Sequence, residues 1–167
     1  MRVLEGLPKR FAKFGLTVHP EKTRLVSFNR PKRDDLKPNE DTGTFDFLGF
    51  THYWGRSKKG NWVVKRKTAS KRLSSKIQAI AKWCRDNMHL PIREQHKTLW
   101  VKLQGHYQYY GINGNYRSLN AFRHAVLHVW RKWLNRRSQK GKRTWDSFKD
   151  FLSHLPLPTP KIMHSNI

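Results

Sequence analysis

Between Thr51 and Arg143 the chain carries only two acidic residues, Asp86 and Glu94, set among a dense population of lysine and arginine. A compact fold built on that stretch must put its cations outside and bury what remains. What remains is strongly aromatic: the 167 residues include seven Trp, nine Phe and five Tyr. Disordered basic tails are poor in aromatics, so the stretch reads as a folded element with a charged skin. The imbalance holds for the whole chain, where 35 Lys+Arg face 11 Asp+Glu for a formal net charge of +24. Self-repulsion on that scale opposes compaction unless a polyanion relieves it. Phosphate backbones do so, because Lys and Arg replace condensed counterions, and the resulting binding is strong and salt-sensitive. Solubility alone is better served by acids. Nucleic acid is the expected partner.

The length allows one domain, or a small α/β piece followed by a helical one. The single cysteine, Cys84, excludes a disulfide framework and points to a reducing compartment. No run of about 18 apolar residues is present, and the first residues lack the apolar core of a secretory signal. The expectation is a cytoplasmic protein with no membrane partner.

Periodicity places the elements. Val3, Leu4, Leu7, Phe11 and Phe14 recur at helical spacing, with Gly15 as a left-handed stop and Pro8 as a start or a kink. Leu16–Val18 reads as extended, and Arg24–Phe28 alternates as a strand does. Asn29–Thr44 is a polar loop. Phe45–Trp54 reads as extended, Ser57–Gly60 as a turn and Trp62–Lys65 as the returning arm of a hairpin. After Thr68 the period changes to three and four. Leu73, Ile77, Ile80, Ala81, Cys84 and Met88 mark one helix face. Pro91 suits the first position of a second helix, which carries Leu99, Leu103, Tyr107 and Tyr110. After the Gly111–Asn115 turn, a third helix bears Leu119, Phe122, Val126, Val129, Trp130 and Trp133 on one stripe. Thr144 is the expected N-cap of a fourth, ended by Pro156, Pro158 and Pro160. The expected fold is therefore α+β: a small helix and strand-hairpin segment over 1–66, a three- to four-helix bundle over 67–155, and an irregular tail over 156–167.

The bundle is expected to be aromatic within and basic without. Cations near a helix C-terminus suit its dipole, which accounts for one or two residues such as Arg136 and Arg137. It does not account for Lys65, Arg66, Lys67, Lys71, Arg72, Arg131, Lys132, Lys142 and Arg143 as well. These are candidate phosphate contacts. Gly105 lies mid-helix, at a cost of about 1 kcal/mol relative to Ala. Close helix packing is the favoured compensation, and close approach of a phosphate is the alternative. Of Tyr107, Tyr109 and Tyr110, one or two belong in the core and at least one at the surface. A surface tyrosine such as Tyr109 beside cations can stack on a base or bond a phosphate.

Catalytic chemistry finds little to work with. His124 and His128 have the spacing of a metal pair but no accompanying Glu or Cys, so no metal site is expected. Cys84 lies on an apolar face and reads as a small hydrophobe. Two-metal phosphoryl chemistry needs clustered carboxylates. Here Asp34, Asp35, Glu40 and Asp41 fall in the polar loop, and Asp46 stands alone between two phenylalanines, suited to a backbone or basic partner.

The ordered motifs resemble a known family. Gly15-Leu16-Thr17-Val18-His19-Pro20-Glu21-Lys22-Thr23, the segment through Phe28, and Phe45-Asp46-Phe47-Leu48-Gly49-Phe50 are similar to the last palm motifs of group II intron reverse transcriptases. Leu103-Gln104-Gly105-His106-Tyr107-Gln108-Tyr109-Tyr110-Gly111 and Trp130-Arg131-Lys132-Trp133-Leu134 resemble the thumb, or maturase-specific, region of the same proteins. The ending Pro156-Leu157-Pro158-Thr159-Pro160 resembles bacterial members without an endonuclease domain. The resemblance spans nearly the whole chain in the family's order. It implies that Lys22, with Thr23, lies near the incoming nucleotide's phosphates. It implies too that Leu48, Gly49 and Phe50 form a primer-grip turn, and that the helices after Thr68 clamp a template–primer duplex or intron RNA.

In that family the fingers, most of the palm and the Tyr-x-Asp-Asp motif that binds Mg2+ precede the first motif seen here, and this sequence contains none of them. The expectation is a C-terminal piece of such a protein, without cofactor or catalytic residue of its own, dependent on a missing fingers and palm portion for nucleotide addition. Other readings stay open: a stand-alone RNA-binding splicing helper, the second half of a split polymerase active in trans, and a basic DNA-binding helical module.

Overall fold

The computed structural model describes residues 2–19, 23, 25–35, 43–137 and 142–164. It is α+β, with five helices and a three-stranded antiparallel sheet. The chain forms two compact units, 1–43 and 44–167. No helix among the described residues is long and apolar enough to cross a membrane.

The first unit contains α1 (Arg2–Ala12), which runs through Pro8 rather than starting at it. Gly15 ends it as expected. With φ at +67°, Gly15 lets its own N–H reach the carbonyl of Ala12 (3.1 Å) and the N–H of Leu16 reach that of Phe11 (3.1 Å). These are the two bonds of a Schellman stop. The strands expected at Leu16–Val18 and Arg24–Phe28 do not form among the described residues. Only Phe28 makes an isolated bridge. An alternating pattern marks a strand only where a neighbour supplies the ladder, and Leu25 is left 78% exposed.

The second unit opens with a meander of β1 (Phe45–Phe47), β2 (Phe50–Arg56) and β3 (Trp62–Thr68) in sheet order β1-β2-β3. The extended run expected from Phe45 to Trp54 is instead folded back on itself. Phe47 pairs with Phe50, and the two residues between them, Leu48 (φ +48°) and Gly49 (φ +81°), make a tight turn. Positive φ at both central positions suits the right-handed twist of the flanking strands. The second hairpin, turned at Ser57–Gly60, follows the expected course and extends to Thr68.

Four helices follow: α2 (Ser70–Asp86), α3 (Ile92–Tyr110), α4 (Tyr116–Leu134) and α5 (Trp145–His154). Pro91 is the N-cap of α3, one residue before the position expected for it. Thr144 caps α5, its Oγ1 accepting from the Ser147 N–H at 3.2 Å. α4 packs against both α2 and α3. The core is where the 3.6-residue stripes meet: Leu99, Leu103 and Tyr107 from α3, Leu119, Phe122, Val126 and Trp130 from α4, Phe148 from α5, all essentially buried. Val129 and Trp133 sit at its margin, and Leu127 and Leu134 are buried in their place.

Two buried amides fix this arrangement. The Gln95 Nε2 donates to the carbonyls of Met88 and Leu90 while its Oε1 accepts from the Trp130 indole at 3.0 Å, tying the α2–α3 connection to α4. Asn115 accepts from the Thr68 N–H (2.9 Å) and donates to Thr68 Oγ1 (2.8 Å) and the Tyr110 carbonyl (2.8 Å). It thereby pins the end of the sheet to the α3–α4 turn.

Residues 156–164 carry no helix, in line with expectation, but they are firmly docked. Leu157 and Pro160 are buried. The Pro158 carbonyl accepts from Tyr107 Oη and Arg123 Nε (both 3.2 Å), and the Gly111 carbonyl accepts from the N–H groups of Met163 (2.7 Å) and His164 (3.0 Å). A Cβ on Gly111 would collide with the Tyr107 and Lys161 carbonyls, so only glycine admits this approach.

Candidate nucleic-acid interface

The Leu48–Gly49 turn is carried over the α2–α3 surface by three contacts. The Ala69 N–H donates to the Gly49 carbonyl at 2.9 Å, and the Tyr109 hydroxyl donates to the Leu48 carbonyl at 2.9 Å. Phe50 packs its ring against Tyr109 and Tyr110, with centroids 6.1 and 5.2 Å apart. A Cβ on Gly49 would lie 3.0 Å from the Tyr110 hydroxyl. A non-glycine residue at positive φ, as at Leu48, costs on the order of 1 kcal/mol, and these contacts hold it there.

Beneath the turn lies a groove of about 910 Å³ between α2 and α3. Arg72, Lys76 and Ala79 line it from α2, and Lys102, Gly105, His106 and Tyr109 from α3. The spacing explains the geometry: Arg72 and Lys76 are four apart, and Lys102, Gly105, His106 and Tyr109 follow the i, i+3, i+4, i+7 rule for one helix face. Arg72, Lys76 and Lys102 are exposed and have no carboxylate partner among the described residues, whose ion pairs Arg85–Asp86 and Lys149–Asp146 lie elsewhere. The floor is aromatic. His106 stacks on Phe122 at 3.8 Å and lies 4.6 Å from Tyr110. Burial, helped by the Lys76 charge, pulls the His106 pKa down to about 4, so the ring is neutral at pH 7. Burial also raises the Tyr110 phenol, with Tyr109 adding to the effect and Arg72 opposing it.

A second hollow on the other side of the turn, about 390 Å³, is lined by Asp46, Lys71, Arg72 and Ser75. The Asp46 carboxylate accepts a hydrogen bond from the Thr51 hydroxyl opposite it in the sheet (2.5 Å), where a backbone or basic partner was expected. The Mg2+ of the resembled enzymes needs paired carboxylates. One carboxylate sharing its hollow with two cations does not match that donor set.

The residues singled out from the sequence thus divide. Leu48, Gly49, Lys71, Arg72, Gly105 and Tyr109 come together around the turn, and Phe50 stands behind it as a wedge. Gly105 departs from expectation: a Cβ there meets nothing within 4 Å, so helix packing does not explain it. Tyr109 is 54% exposed while Tyr107 and Tyr110 are buried, as the spacing implied. Lys65, Arg66 and Lys67 lie on β3, with Lys67 over the Tyr53 ring at 5.2 Å.

The cations at the end of α4 are not part of the groove, and most of them make local contacts. Arg131 stacks on Trp145 (4.2 Å) and donates to the Arg143 carbonyl (3.1 Å). Arg143 covers Phe151 at 4.7 Å and exchanges hydrogen bonds with Asn135. Lys132 and Arg136 lie over Trp133, at 5.7 and 5.0 Å, and Arg137 and Lys142 are exposed. In the first unit, Thr23 bonds back to the His19 carbonyl through its N–H and hydroxyl (3.0 and 2.8 Å). Lys22 lies outside the described residues.

Lys76, Lys102 and His106 were missed in the sequence. Their signal was present: Lys76 directly precedes Ile77 of the α2 apolar face, and Lys102 and His106 directly precede Leu103 and Tyr107 of the α3 stripe. Comparison with protein-family models, curated proteins and solved structures finds no match for this chain.

Proposed function

We propose that this chain is an RNA-binding element that grips the phosphate backbone of RNA, or of an RNA-containing template–primer duplex, along the groove beneath the Leu48–Gly49 turn. The observation that carries the reading is the rim of Arg72, Lys76 and Lys102, three exposed cations without carboxylate partners among the described residues, facing an exposed tyrosine and a glycine-containing turn. Cations so placed lose little on meeting phosphate and release its counterions. The motif resemblance to group II intron reverse transcriptases supports the same reading and supplies the substrate class: intron RNA in splicing, a template–primer in reverse transcription. Under it the chain binds and positions. Nucleotide addition is assigned to none of its residues, and primer extension by the isolated chain is expected to be nil.

A helix-turn-helix DNA reader has less support, because Gly111, Ile112 and Asn115 of the α3–α4 turn are buried and the Met163 and His164 N–H groups dock on Gly111, leaving only Asn113 and Gly114 of the turn exposed. The test is the triple variant Arg72→Ala/Lys76→Ala/Lys102→Ala. It is expected to weaken binding of structured RNA by at least 100-fold at 50 mM salt, for many sequences alike, since phosphate contacts position without reading bases. An unchanged affinity would refute the groove as the site.

A further inference from the structure

We infer that the groove also holds one unpaired nucleotide of the bound RNA, its base laid against the Gly105–His106–Tyr109 face of α3 and its phosphate on the cationic rim. The inference rests on the RNA-binding reading and adds what within the RNA is recognised.

Three observations point to a base rather than to backbone alone. Gly105 is exposed, lines the groove and has nothing near its missing side chain. A mid-helix glycine weakens the helix, and with no packing partner to offset that cost, the gain lies in letting a flat group approach the helix. His106 is 6% exposed, and its Nε2 has no hydrogen-bond partner among the described residues. A buried polar atom without a partner calls for one. In the neutral ring Nε2 can make one hydrogen bond, as donor or acceptor according to the tautomer. The floor of His106, Phe122 and Tyr110 is aromatic, which suits a ring system. A paired base cannot reach such a concavity. An unpaired one in a bulge or loop can be splayed out and stacked on aromatic side chains, the usual mode of specific RNA recognition. The groove volume, about 910 Å³, is within the range of sites that enclose a small ligand.

The test compares two RNA hairpins that differ by a single bulged adenosine, with 2-aminopurine as that base for the fluorescence arm. The full chain is expected to bind the bulged hairpin about 10-fold more tightly, in keeping with what stacking one base contributes, and to quench the 2-aminopurine. Gly105→Leu sends a side chain into the groove from a Cβ that itself meets nothing within 4 Å. It is expected to bring the ratio of the two affinities to about one while leaving the thermal midpoint at or above the parent's. Gly105→Ala, which adds one methyl, is expected to keep most of the preference. Equal affinity of the parent for both hairpins, or a preference that survives Gly105→Leu, overturns the nucleotide pocket and leaves backbone gripping intact. Failure to bind either hairpin overturns both.

Discussion

Asn115 shows how much one side chain can decide. Its amide satisfies the Thr68 N–H, the Thr68 hydroxyl and the Tyr110 carbonyl at a buried junction. Asn115→Ala leaves those groups buried and unpaired, so it should cost about 2–3 kcal/mol in urea unfolding. A loss under 0.5 kcal/mol would contradict the pinning role. His106 makes a pH-dependent contribution of known sign. Its pKa is about 4 in the fold against the ordinary 6.5, so the unfolded chain takes up the proton first as pH falls. The stability tied to the neutral ring is complete above about pH 6.5, drains between 6.5 and 4, and is gone below. It amounts to up to about 3 kcal/mol. The parent should therefore lose more stability between pH 7 and 4.5 than His106→Phe, and equal losses would contradict the burial argument. Cys84 was legible as a hydrophobe from its place on an apolar stripe. It is 2% exposed, and burial pushes its thiol up to about 12. Gly105 was legible only as an anomaly, because spacing alone cannot say whether a neighbouring helix or open space faces a glycine.

At the scale of elements, what could be read was what a single helix or hairpin decides for itself. The stripes from Leu73 to Trp133, the Thr144 cap and the Ser57–Gly60 turn follow from local periodicity and local hydrogen bonding. What could not be read depends on partners distant in sequence. Arg24–Phe28 has a strand's pattern and no ladder. Phe45–Trp54 reads as one extended run because Leu48 is a poor advertisement for a turn. Its positive φ is held by contacts from far along the chain, among them Tyr109, 61 residues on, whose hydroxyl donates to its carbonyl. The tail is the clearest case: a proline-rich end with no periodicity docks through backbone carbonyls, which leave no trace in composition. Gly111→Ala would force a Cβ into that seam and should cost about 2 kcal/mol or more. It should do so with accelerated exchange of the Met163 and His164 amides. Unchanged protection there would argue against the seam as described.

For the molecule as a whole, two properties stand out. The two compact units differ in how well they bury their apolar residues. Phe14, Leu16 and Leu25 of the first are 74%, 58% and 78% exposed, whereas the α4 stripe of the second is buried. Amide exchange in α1 is expected to be much faster than in α4, and equal protection would contradict the difference in packing. The second property is charge. A formal +24 was the first feature legible in the sequence, but it said only that a polyanion belongs on this chain. Roughly half of the cations expected to meet it are engaged instead in stacking on Trp145, Trp133, Tyr53 and Phe151. Of the others only Arg72 lines the groove, where Lys76 and Lys102, the latter over the Trp83 ring at 5.9 Å, join it to form the proposed RNA-binding rim. The direct measurement of that claim is the slope of log affinity for an RNA hairpin against log salt, for the parent and for Arg72→Ala/Lys76→Ala/Lys102→Ala. A steep linear fall for the parent, with the slope reduced by about two to three in the variant, is the predicted result. A flat response in the parent, or the same slope in both, would contradict it.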